Sequence, residues 1–394
     1  MSMRVSAMRR FDRFVGVPLC LLTGILRSGF RPRTSLPPAA EWKAVLVIKF
    51  FGMGSVLLSS GFLAALREQT GARIIFLTFA SNKEILDRMP QPDIRLTIST
   101  SSISRFAREA IAAILRIRRE KVQAVFDLEF FSKFSTLVSV LSGAPHRTGY
   151  SLPARWRRMN LTHAIPLRHD RHVTGSFLAQ LAPFGLDGGS ASGGFRLRSD
   201  PAEQETMRKK LGLGPNGRST VCVNINAGST SLERRWPPDR FLDVVEILAR
   251  QHPGTKFFFT GSLIERPYVE RALETRPSIA PRAMNIAGML SLGELIALFE
   301  NSEVLITNDS GPMHVASSVG LPVVALFGPE SPIFYGPLGA GTTIDKRLPC
   351  SPCLNVYDAK LFVCPINAQC MKEITAGDVV LAANALALPR EVRA

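Results

Sequence analysis

The sequence predicts an α/β protein made of two doubly wound, Rossmann-like domains in tandem, with a cleft between them. Three observations support this prediction. Short apolar runs rich in β-branched residues alternate with segments of helical apolar spacing, which is typical of parallel sheets covered by helices. The alternation occurs twice, and a Gly/Ser-rich stretch at 187–194 separates the two series. A chain of 394 residues is long enough for two such domains.

Four apolar runs predict the strands of the first domain, which we place at residues 41–190. The first run, Lys43–Phe50, ends in a glycine loop, Phe51–Ser55, after which apolar residues recur at helical spacing. A further helix is predicted over Ser104–Arg119. The other runs that predict strands are Ala72–Phe79, Asp93–Ile98 and Lys121–Leu128.

The pattern resumes after a predicted linker at residues 191–204 and defines a second domain at residues 205–394. Its predicted strands are Ser219–Ile225, Thr255–Gly261, Val304–Asp309 and Pro322–Gly328. Its predicted helices are Pro238–Gln251, Leu292–Asn301 and Gly311–Val319. Ligands of doubly wound sheets bind beyond the carboxyl ends of the strands, so the residues after each strand are the candidates for function.

Positive charge is concentrated in the first half of the chain. The net charge is +16; residues 1–200 contain 29 basic and 13 acidic side chains, whereas residues 201–394 contain 19 of each. This asymmetry predicts that the first half binds an anionic partner, such as a phosphorylated lipid surface or glycan. Nucleic acid is disfavoured as a partner because the aromatic residues of this half lie in apolar runs rather than among Arg and Lys.

The N-terminal segment, residues 1–40, combines an apolar run with many arginines. The run Phe14–Leu26 is 13 residues long, and a membrane-spanning helix needs about 20. No small-residue cleavage site follows it, which argues against a signal peptide. Arginines flank the run at positions 9, 10, 13, 27, 31 and 33. We therefore predict a segment that associates with a membrane surface; the alternative is a docked core helix with a solvated basic end.

Six cysteines in a chain of this length are too few for a disulfide scaffold, which indicates a reducing compartment. Four of them form one cluster: Cys350, Cys353, Cys364 and Cys370. Four thiols with one CxxC pair can hold a tetrahedral structural zinc. The second pair is spaced more widely than in a zinc ribbon, so free thiols and disulfides are the alternatives.

The stretch Val304–Pro332 contains the most informative motif. A predicted strand ends at Asp309, and Ser310, Gly311 and Pro312 then open a helix. Free N–H groups and the helix dipole bind anions, so this turn is a predicted phosphate or diphosphate site. The alternative is that Asp309 or Ser310 only caps the helix. A second glycine turn one strand later, FGPESP, favours the phosphate interpretation.

A second motif, Asn224–Phe241, places hydroxyls and a guanidinium after another strand. Ser229 and Thr230 precede Arg234, and such groups can stabilise a diphosphate leaving group without a metal. The alternative is a solvated loop whose Trp236 anchors the next helix.

Two further segments contain candidate ligand groups. Glu265 follows a predicted strand, and that position suits a hydrogen bond to a ribose hydroxyl. The stretch Pro145–His172 contains four histidines and six arginines. Their irregular spacing favours a solvated, anion-facing loop, where an anionic acceptor could dock, over a metal site.

These blocks, in this order, resemble glycosyltransferase family 9, the heptosyltransferase-like enzymes of lipopolysaccharide core biosynthesis. The similarity covers about residues 43–380 and includes GMGSVLLSSGFLAAL, LSGAPHRTGY, AGSTSLERRWPPDRF and the closing CSPC. Its most specific part is NDSGPMH followed by GLPVVALFGP. The resemblance implies a GT-B fold, with an N-terminal acceptor domain and a C-terminal nucleotide-sugar domain. It also implies inverting transfer that requires no metal or other cofactor, with ADP-heptose as the donor.

The resemblance assigns roles to particular residues. The donor would be bound by Ser229, Thr230, Arg234, Asp309, Ser310, Gly311 and His314, with Glu265 at the ribose. The acceptor would meet a loop that includes Gly52 and Gly54, together with Arg147. The acceptor itself would be an anionic lipid-linked glycan, and the protein a peripheral one on the cytoplasmic face of the inner membrane.

The catalytic base departs from the family pattern. The family's first glycine loop ends in an aspartate that deprotonates the acceptor hydroxyl, and the residue here is Ser55. After the fourth predicted strand, Asp127 and Glu129 are the candidate bases, and the alternative for Asp127, the more usual role of an acid at such a position, is to cap or orient the neighbouring loop. Glu129, between apolar neighbours, is the predicted base because partial burial raises a carboxylate pKa. The alternatives are that Glu129 only pairs with Lys133, or that the chain binds a sugar nucleotide without catalysing transfer.

Overall fold

The computed structural model describes residues 16–27, 38–151, 155–188, 195–214, 219–228, 231–354 and 363–387. The chain divides into two units between Phe195 and Arg196. This division lies within the predicted linker, whose last residues, 201–204, already belong to a helix of the second unit.

The N-terminal unit contains a parallel sheet of six strands, β1 to β6. They are Ala44–Ile48, Arg73–Phe79, Ile94–Ile98, Ala124–Asp127, His146–Ser151 and His163–Pro166. Their order across the sheet is β3-β2-β1-β4-β5-β6. The helices α1 to α8 are Val17–Arg27, Met53–Leu58, Ser60–Thr70, Lys83–Arg88, Ile103–Arg119, Lys133–Leu141, Arg155–Arg158 and Val173–Leu178.

The C-terminal unit repeats this topology. Its strands β7 to β12 are Thr220–Asn224, Lys256–Phe259, Ala283–Asn285, Val304–Asn308, Val323–Leu326 and Gly341–Ile344, in the order β12-β11-β10-β7-β8-β9. The helices α9 to α16 are Pro201–Leu211, Pro238–Gln251, Arg266–Glu274, Leu292–Glu300, Gly311–Val319, Pro332–Tyr335, Gln369–Lys372 and Ala376–Ala387.

The strand order gives each sheet one switch point. There, the later strands of the unit are added on opposite sides of its first strand. In the N-terminal unit this point lies between β1 and β4, which pair Ile48 with Asp127. In the C-terminal unit it lies between β7 and β10, which pair Asn224 with Thr307. Loops at switch points diverge and leave room for a ligand, so these two edges are the candidate sites.

Burial explains which strands the sequence predicted and which it did not. All five residues of β1, AVLVI, are buried, as expected for a parallel strand covered on both faces. Strand β5, HRTGYS, is polar and lies in the stretch predicted as a solvated loop. It is nevertheless buried, and its Thr148 hydroxyl donates to Gln180 Oε1 at 2.6 Å. The loop prediction for this stretch was therefore wrong, because side-chain hydrogen bonds, and not apolar periodicity, stabilise the strand.

The predicted N-terminal apolar run forms α1, which packs against α6 and α7. Its Cys20 is buried, and the Asn160 side chain donates to the Cys20 carbonyl at 2.7 Å. Part of the predicted segment 1–40 is thus docked on the N-terminal unit; residues 1–15 and 28–37 lie outside the described residues. In the described part of the chain, every helix is too short or too polar to cross a bilayer.

Candidate functional site

The switch point of the C-terminal unit is lined by buried asparagines that were not among the predicted site residues. Asn224, the last residue of β7, donates to the Ser310 hydroxyl at 2.9 Å and to the Thr307 hydroxyl at 3.2 Å. Asn308, the last residue of β10, donates to the Ile225 carbonyl at 3.0 Å. These bonds hold the two loops in place. The sequence feature that could have identified Asn224 and Asn308 is a polar residue near the end of each of two apolar runs.

Arg234 connects the same two loops. Its guanidinium donates to the Asp309 carboxylate at 2.9 Å and to the Asp309 carbonyl at 3.1 Å, and its other amino group donates to the Ala227 carbonyl at 2.5 Å. The Arg234 Nε–H is buried and has no hydrogen-bond acceptor among the described residues. One donor of a well-positioned cation is thus left for an anion.

Helix α13 begins beside this pair. Ser310 occupies the N-cap position, but its side chain makes no capping bond and contacts Asn224 and Thr307 instead. The Ser310 side chain therefore does not cap the N-terminal N–H groups of α13, and N–H groups at a helix start bind anionic ligands. The alternative to the predicted phosphate site, that the Ser310 side chain only caps the helix, was therefore wrong. Gly311 opens the helix, and His314 is buried within its first turn.

The structure thus brings together five of the predicted donor residues: Arg234, Asp309, Ser310, Gly311 and His314. Ser229 and Thr230 lie outside the described residues. Trp236 anchors the start of the next helix, as one alternative for this loop predicted. Its side chain is buried, and Nε1 donates to the Ile374 carbonyl at 3.1 Å.

Glu265 lies at the same edge of the sheet, after the neighbouring strand β8. It precedes α11, and its carboxylate accepts hydrogen bonds from the N–H and the hydroxyl of Ser262, both at 2.8 Å. The β8 and β7 loops approach closely, since a Cβ on Gly261 would lie 2.7 Å from the Asn226 side chain. Glu265 therefore lies near the asparagine-lined edge.

In the N-terminal unit, Glu129 occupies the switch point. It is fully buried, and its Oε1 accepts from Lys49 Nζ at 2.9 Å and from the backbone N–H groups of Phe50 and Phe51 at 2.6 and 3.0 Å. Its Oε2 has no partner among the described residues. Lys133, the partner that the alternative predicted, lies instead over the Trp156 ring, with Nζ 5.2 Å from the centroid. The alternative that Glu129 pairs with Lys133 was therefore wrong. Its actual partner, Lys49, was not among the predicted site residues.

Asp127 orients its loop, as the alternative for this residue predicted. Its carboxylate accepts from the Glu129 N–H at 3.1 Å and from the Ser135 hydroxyl and Arg157 Nη2, both at 2.9 Å. Arg157 and Asp127 are both completely buried. Burial raises the pKa of Asp127 to about 6, and the Arg157 guanidinium opposes this shift. The pair attaches α7 to the end of β4.

The predicted acceptor residues separate into two groups. Gly52 precedes α2 with a φ of 84°, a left-handed conformation that favours glycine, and Gly54 and Ser55 lie in that helix. Arg147 is instead in β5, not in a loop: it is buried, and its guanidinium donates to the carbonyls of Ala144 and Asn160. Its placement in a solvated acceptor loop was wrong.

The four clustered cysteines form no disulfide in the described structure, and Cys353 and Cys370 lie beside the FGPESP turn. A Cβ on Gly328 would lie 2.8 Å from Cys370 Sγ, and the Cys353 N–H donates to the Pro329 carbonyl at 2.9 Å. Burial, then the neighbouring Cys370, Cys364 and Cys350, raise the pKa of Cys353 to about 11. Within the described ranges, no three His, Cys, Asp or Glu side chains are placed to ligate one metal ion.

The paired doubly wound sheets are those of a GT-B glycosyltransferase, and solved structures of this class share the architecture. A glycosyltransferase family 9 structure from Veillonella parvula superposes with a TM-score of 0.71 and 25% identity, covering 88% of this chain and 98% of that one. An ADP-heptose lipopolysaccharide heptosyltransferase II from Escherichia coli superposes with a TM-score of 0.68 and 22% identity, covering 87% and 98%.

The chain belongs to glycosyltransferase family 9 (heptosyltransferase), whose family model matches residues 112–361. It is 25% identical over 320 residues to lipopolysaccharide heptosyltransferase 2 of Escherichia coli, covering 75% of this chain and 85% of the relative. It is 28% identical over 224 residues to lipooligosaccharide heptosyltransferase 2 of Haemophilus influenzae. That match covers 54% of this chain and 63% of the relative, so it spans less than two thirds of the relative's length.

Proposed function

We propose that this protein transfers heptose from ADP-heptose to a lipopolysaccharide core acceptor, with inversion at the sugar carbon and without a catalytic metal. The observation on which this proposal depends is the pairing of Arg234 with Asp309 beside the uncapped start of α13. Membership of family 9 and the names of the relatives support heptose as the sugar and lipopolysaccharide as the acceptor class.

Metal independence is supported by the charges at this edge. Departure of the nucleoside diphosphate leaves negative charge on its phosphate oxygens, which cations and oriented N–H dipoles stabilise. A guanidinium with an unused N–H and a helix N-terminus provide both without an ion. Ser310, Gly311 and His314 would contact the diphosphate, and Glu265 would accept a hydrogen bond from the ribose.

We assign the catalytic base to Glu129. Ser55 lacks a carboxylate, whereas Glu129 lies at the same switch point and binds the backbone of the loop that leads to Ser55. All three hydrogen bonds go to Oε1, so Oε2 is the oxygen left to accept the acceptor's proton. An inverting displacement needs this proton removed as the sugar–phosphate bond breaks.

Ser55 also favours a second candidate function, a sugar-nucleotide-binding protein that does not catalyse transfer. The purified full-length chain, incubated with ADP-heptose and a heptose-deficient lipopolysaccharide core, separates the two. Transfer predicts an acceptor heavier by one heptose and release of ADP, also in the presence of a chelator. Binding of ADP-heptose with neither transfer nor hydrolysis would overturn the enzymatic proposal.

We also propose that Cys350, Cys353, Cys364 and Cys370 hold a structural zinc. Cys353 and Cys370 both lie against the Gly328–Pro329 turn, and a divalent cation would favour their thiolate forms. Since the described thiols are not placed around one ion, zinc binding would require the cysteines to move closer together. Elemental analysis is expected to find about one zinc per chain in the full-length protein and none in Cys353→Ser. Cys222→Ser, which changes an isolated buried thiol, is the control. Zinc-free protein of unchanged thermal stability would contradict the proposal.

Finally, we propose that the protein is peripheral to the cytoplasmic face of the inner membrane. A lipid-linked acceptor requires access to a bilayer, and the positive charge of the first half suits anionic headgroups. Sedimentation with anionic vesicles that weakens as salt is added is the expected result. Protein that stays in the supernatant at low salt would contradict it.

A further inference from the structure

Helix α5 has two apolar faces, and among the described residues only one of these faces is covered by other parts of the protein. The inner face packs against the sheet through Ala110, Ala113 and Ile117. On the outer face, apolar residues recur every fourth position, at Ile103, Ala107, Ile111 and Leu115. The three large side chains of this outer strip are 68%, 60% and 53% exposed.

Arginines lie on both sides of the outer strip. The helix contains five arginines and one glutamate. Arg105 pairs with Glu109 at 2.7 Å, and Arg116 pairs with Glu120 at 2.8 Å, so the acidic groups of this region are already neutralised. The remaining arginines flank the strip, with Arg108 and Arg119 on one side and Arg118 on the other.

Helix α1 presents a similar face. Its inner side buries two small residues, Cys20 and Gly24, and Gly16, one residue before the helix, is buried as well. Its opposite side exposes Leu19, Leu22, Ile25 and Leu26, with the last two 62% and 65% exposed. Both α1 and α5 pack against α6, α5 through a Phe106–Phe134 ring contact at 4.8 Å. The two exposed faces therefore flank one helix of the N-terminal unit.

We propose that the outer strip of α5 and the outer face of α1 together form a surface that binds an anionic phospholipid bilayer. The apolar residues would enter the region between headgroups and acyl chains, and the arginines would bind phosphates. A second copy of this chain is a poor occupant because the arginines of the two copies would repel each other. The inference deepens the proposed function, since it specifies the surface by which the enzyme meets a lipid-linked acceptor.

The test compares vesicle binding of full-length variants that carry the same change in charge. Leu115→Glu lies on the strip, and Leu381→Glu, at a 72% exposed residue of α16, is the matched control in the C-terminal unit. Vesicles of phosphatidylethanolamine and phosphatidylglycerol are the probe. We expect Leu115→Glu to lower the partition coefficient by about tenfold, Ile111→Glu with Leu115→Glu to lower it further, and Leu381→Glu to leave it unchanged.

Charge and apolar contacts are tested separately. Arg118→Ser with Arg119→Ser should weaken binding to these vesicles and remove part of its salt dependence, while binding to phosphatidylcholine vesicles stays the same. The proposal would be overturned if the α5 variants bound these vesicles as the wild-type chain does. It would also be overturned if Leu381→Glu lowered the partition coefficient as much as Leu115→Glu. A third contradicting result would be that the wild-type chain self-associates and that the α5 variants lose this self-association but still bind vesicles.

Failure of this inference is distinguishable from failure of the proposed function. Transfer to a delipidated, water-soluble core acceptor does not require a bilayer, so the α5 variants should retain wild-type turnover on it. Normal turnover without vesicle binding would overturn the surface alone, and vesicle binding without turnover would overturn the proposed function alone.

Discussion

At the scale of single residues, two buried ion pairs hold the switch point of the N-terminal unit together. Lys49 pairs with Glu129, and Arg157 pairs with Asp127, and all four side chains are at most 3% exposed. Removing one partner of a buried pair leaves an unpaired charge, which usually costs more than the pair contributes. Substitutions here must therefore be assessed for both stability and activity.

Glu129→Gln tests the proposed base. Glutamine keeps an oxygen that can accept from the Phe50 and Phe51 N–H groups, but it cannot accept a proton at neutral pH. We expect donor affinity to be kept and turnover to fall by about 10²-fold or more, the scale of general-base catalysis. Steady-state kinetics with ADP-heptose and direct donor titration measure the two quantities. Near-normal turnover in folded protein would leave Glu129 with a positioning role only.

Asp127→Asn provides the contrast at the neighbouring carboxylate. Because it leaves the Arg157 guanidinium buried without its counter-charge, we expect the free energy of unfolding to fall by about 3–5 kcal/mol. Urea denaturation measures this loss. A variant of unchanged stability that has lost turnover would instead place Asp127 in the chemistry.

Arg234→Ala tests the donor site. The loss of a charge-assisted hydrogen bond to the diphosphate should weaken ADP binding by about 1.5–3 kcal/mol. Arg250→Ala is the control: it removes an exposed arginine of the same unit that pairs only with Glu246 in the described structure. Calorimetric titration compares the two variants. Unchanged ADP affinity in Arg234→Ala would remove this residue from the site.

At the scale of secondary-structure elements, α1 depends on close contact with α7. Alanine is normally the better helix former, but a Cβ on Gly24 would lie 2.7 Å from the Met159 Cβ. Gly24→Ala should therefore lower the free energy of unfolding by about 1–2 kcal/mol, as overpacking does. Thermal and urea unfolding measure it.

A glycine in α8 is the matched control for this prediction. A Cβ on Gly175 would contact only the Arg171 side chain, at 3.3 Å, and that side chain is half exposed. Gly175→Ala should thus stabilise the protein by up to about 1 kcal/mol. Equal stabilisation by both substitutions would show that α1 is not tightly docked.

At the scale of the whole molecule, each unit has its own sheet and its own apolar core. One apolar core cluster of the C-terminal unit consists of residues from 221 to 383, and the described residues that we propose to bind the donor all belong to that unit. We therefore expect residues 196–394 to fold alone and to bind ADP as the full-length chain does. Circular dichroism and calorimetric titration test this. A folded fragment that fails to bind ADP would mean that the N-terminal unit contributes to donor binding.

The sequence by itself determined the α/β class, the tandem repetition and eight of the strands, because buried parallel strands are continuous apolar runs. It also determined the family and the Ser310–Gly311 helix start, because a polar turn after an apolar strand is visible locally. The polar strand β5, the Lys49–Glu129 pair and the burial of Arg147 were decided only by tertiary structure. Each depends on hydrogen bonds or ion pairs between residues far apart in the chain, and the identity of one partner does not specify the other.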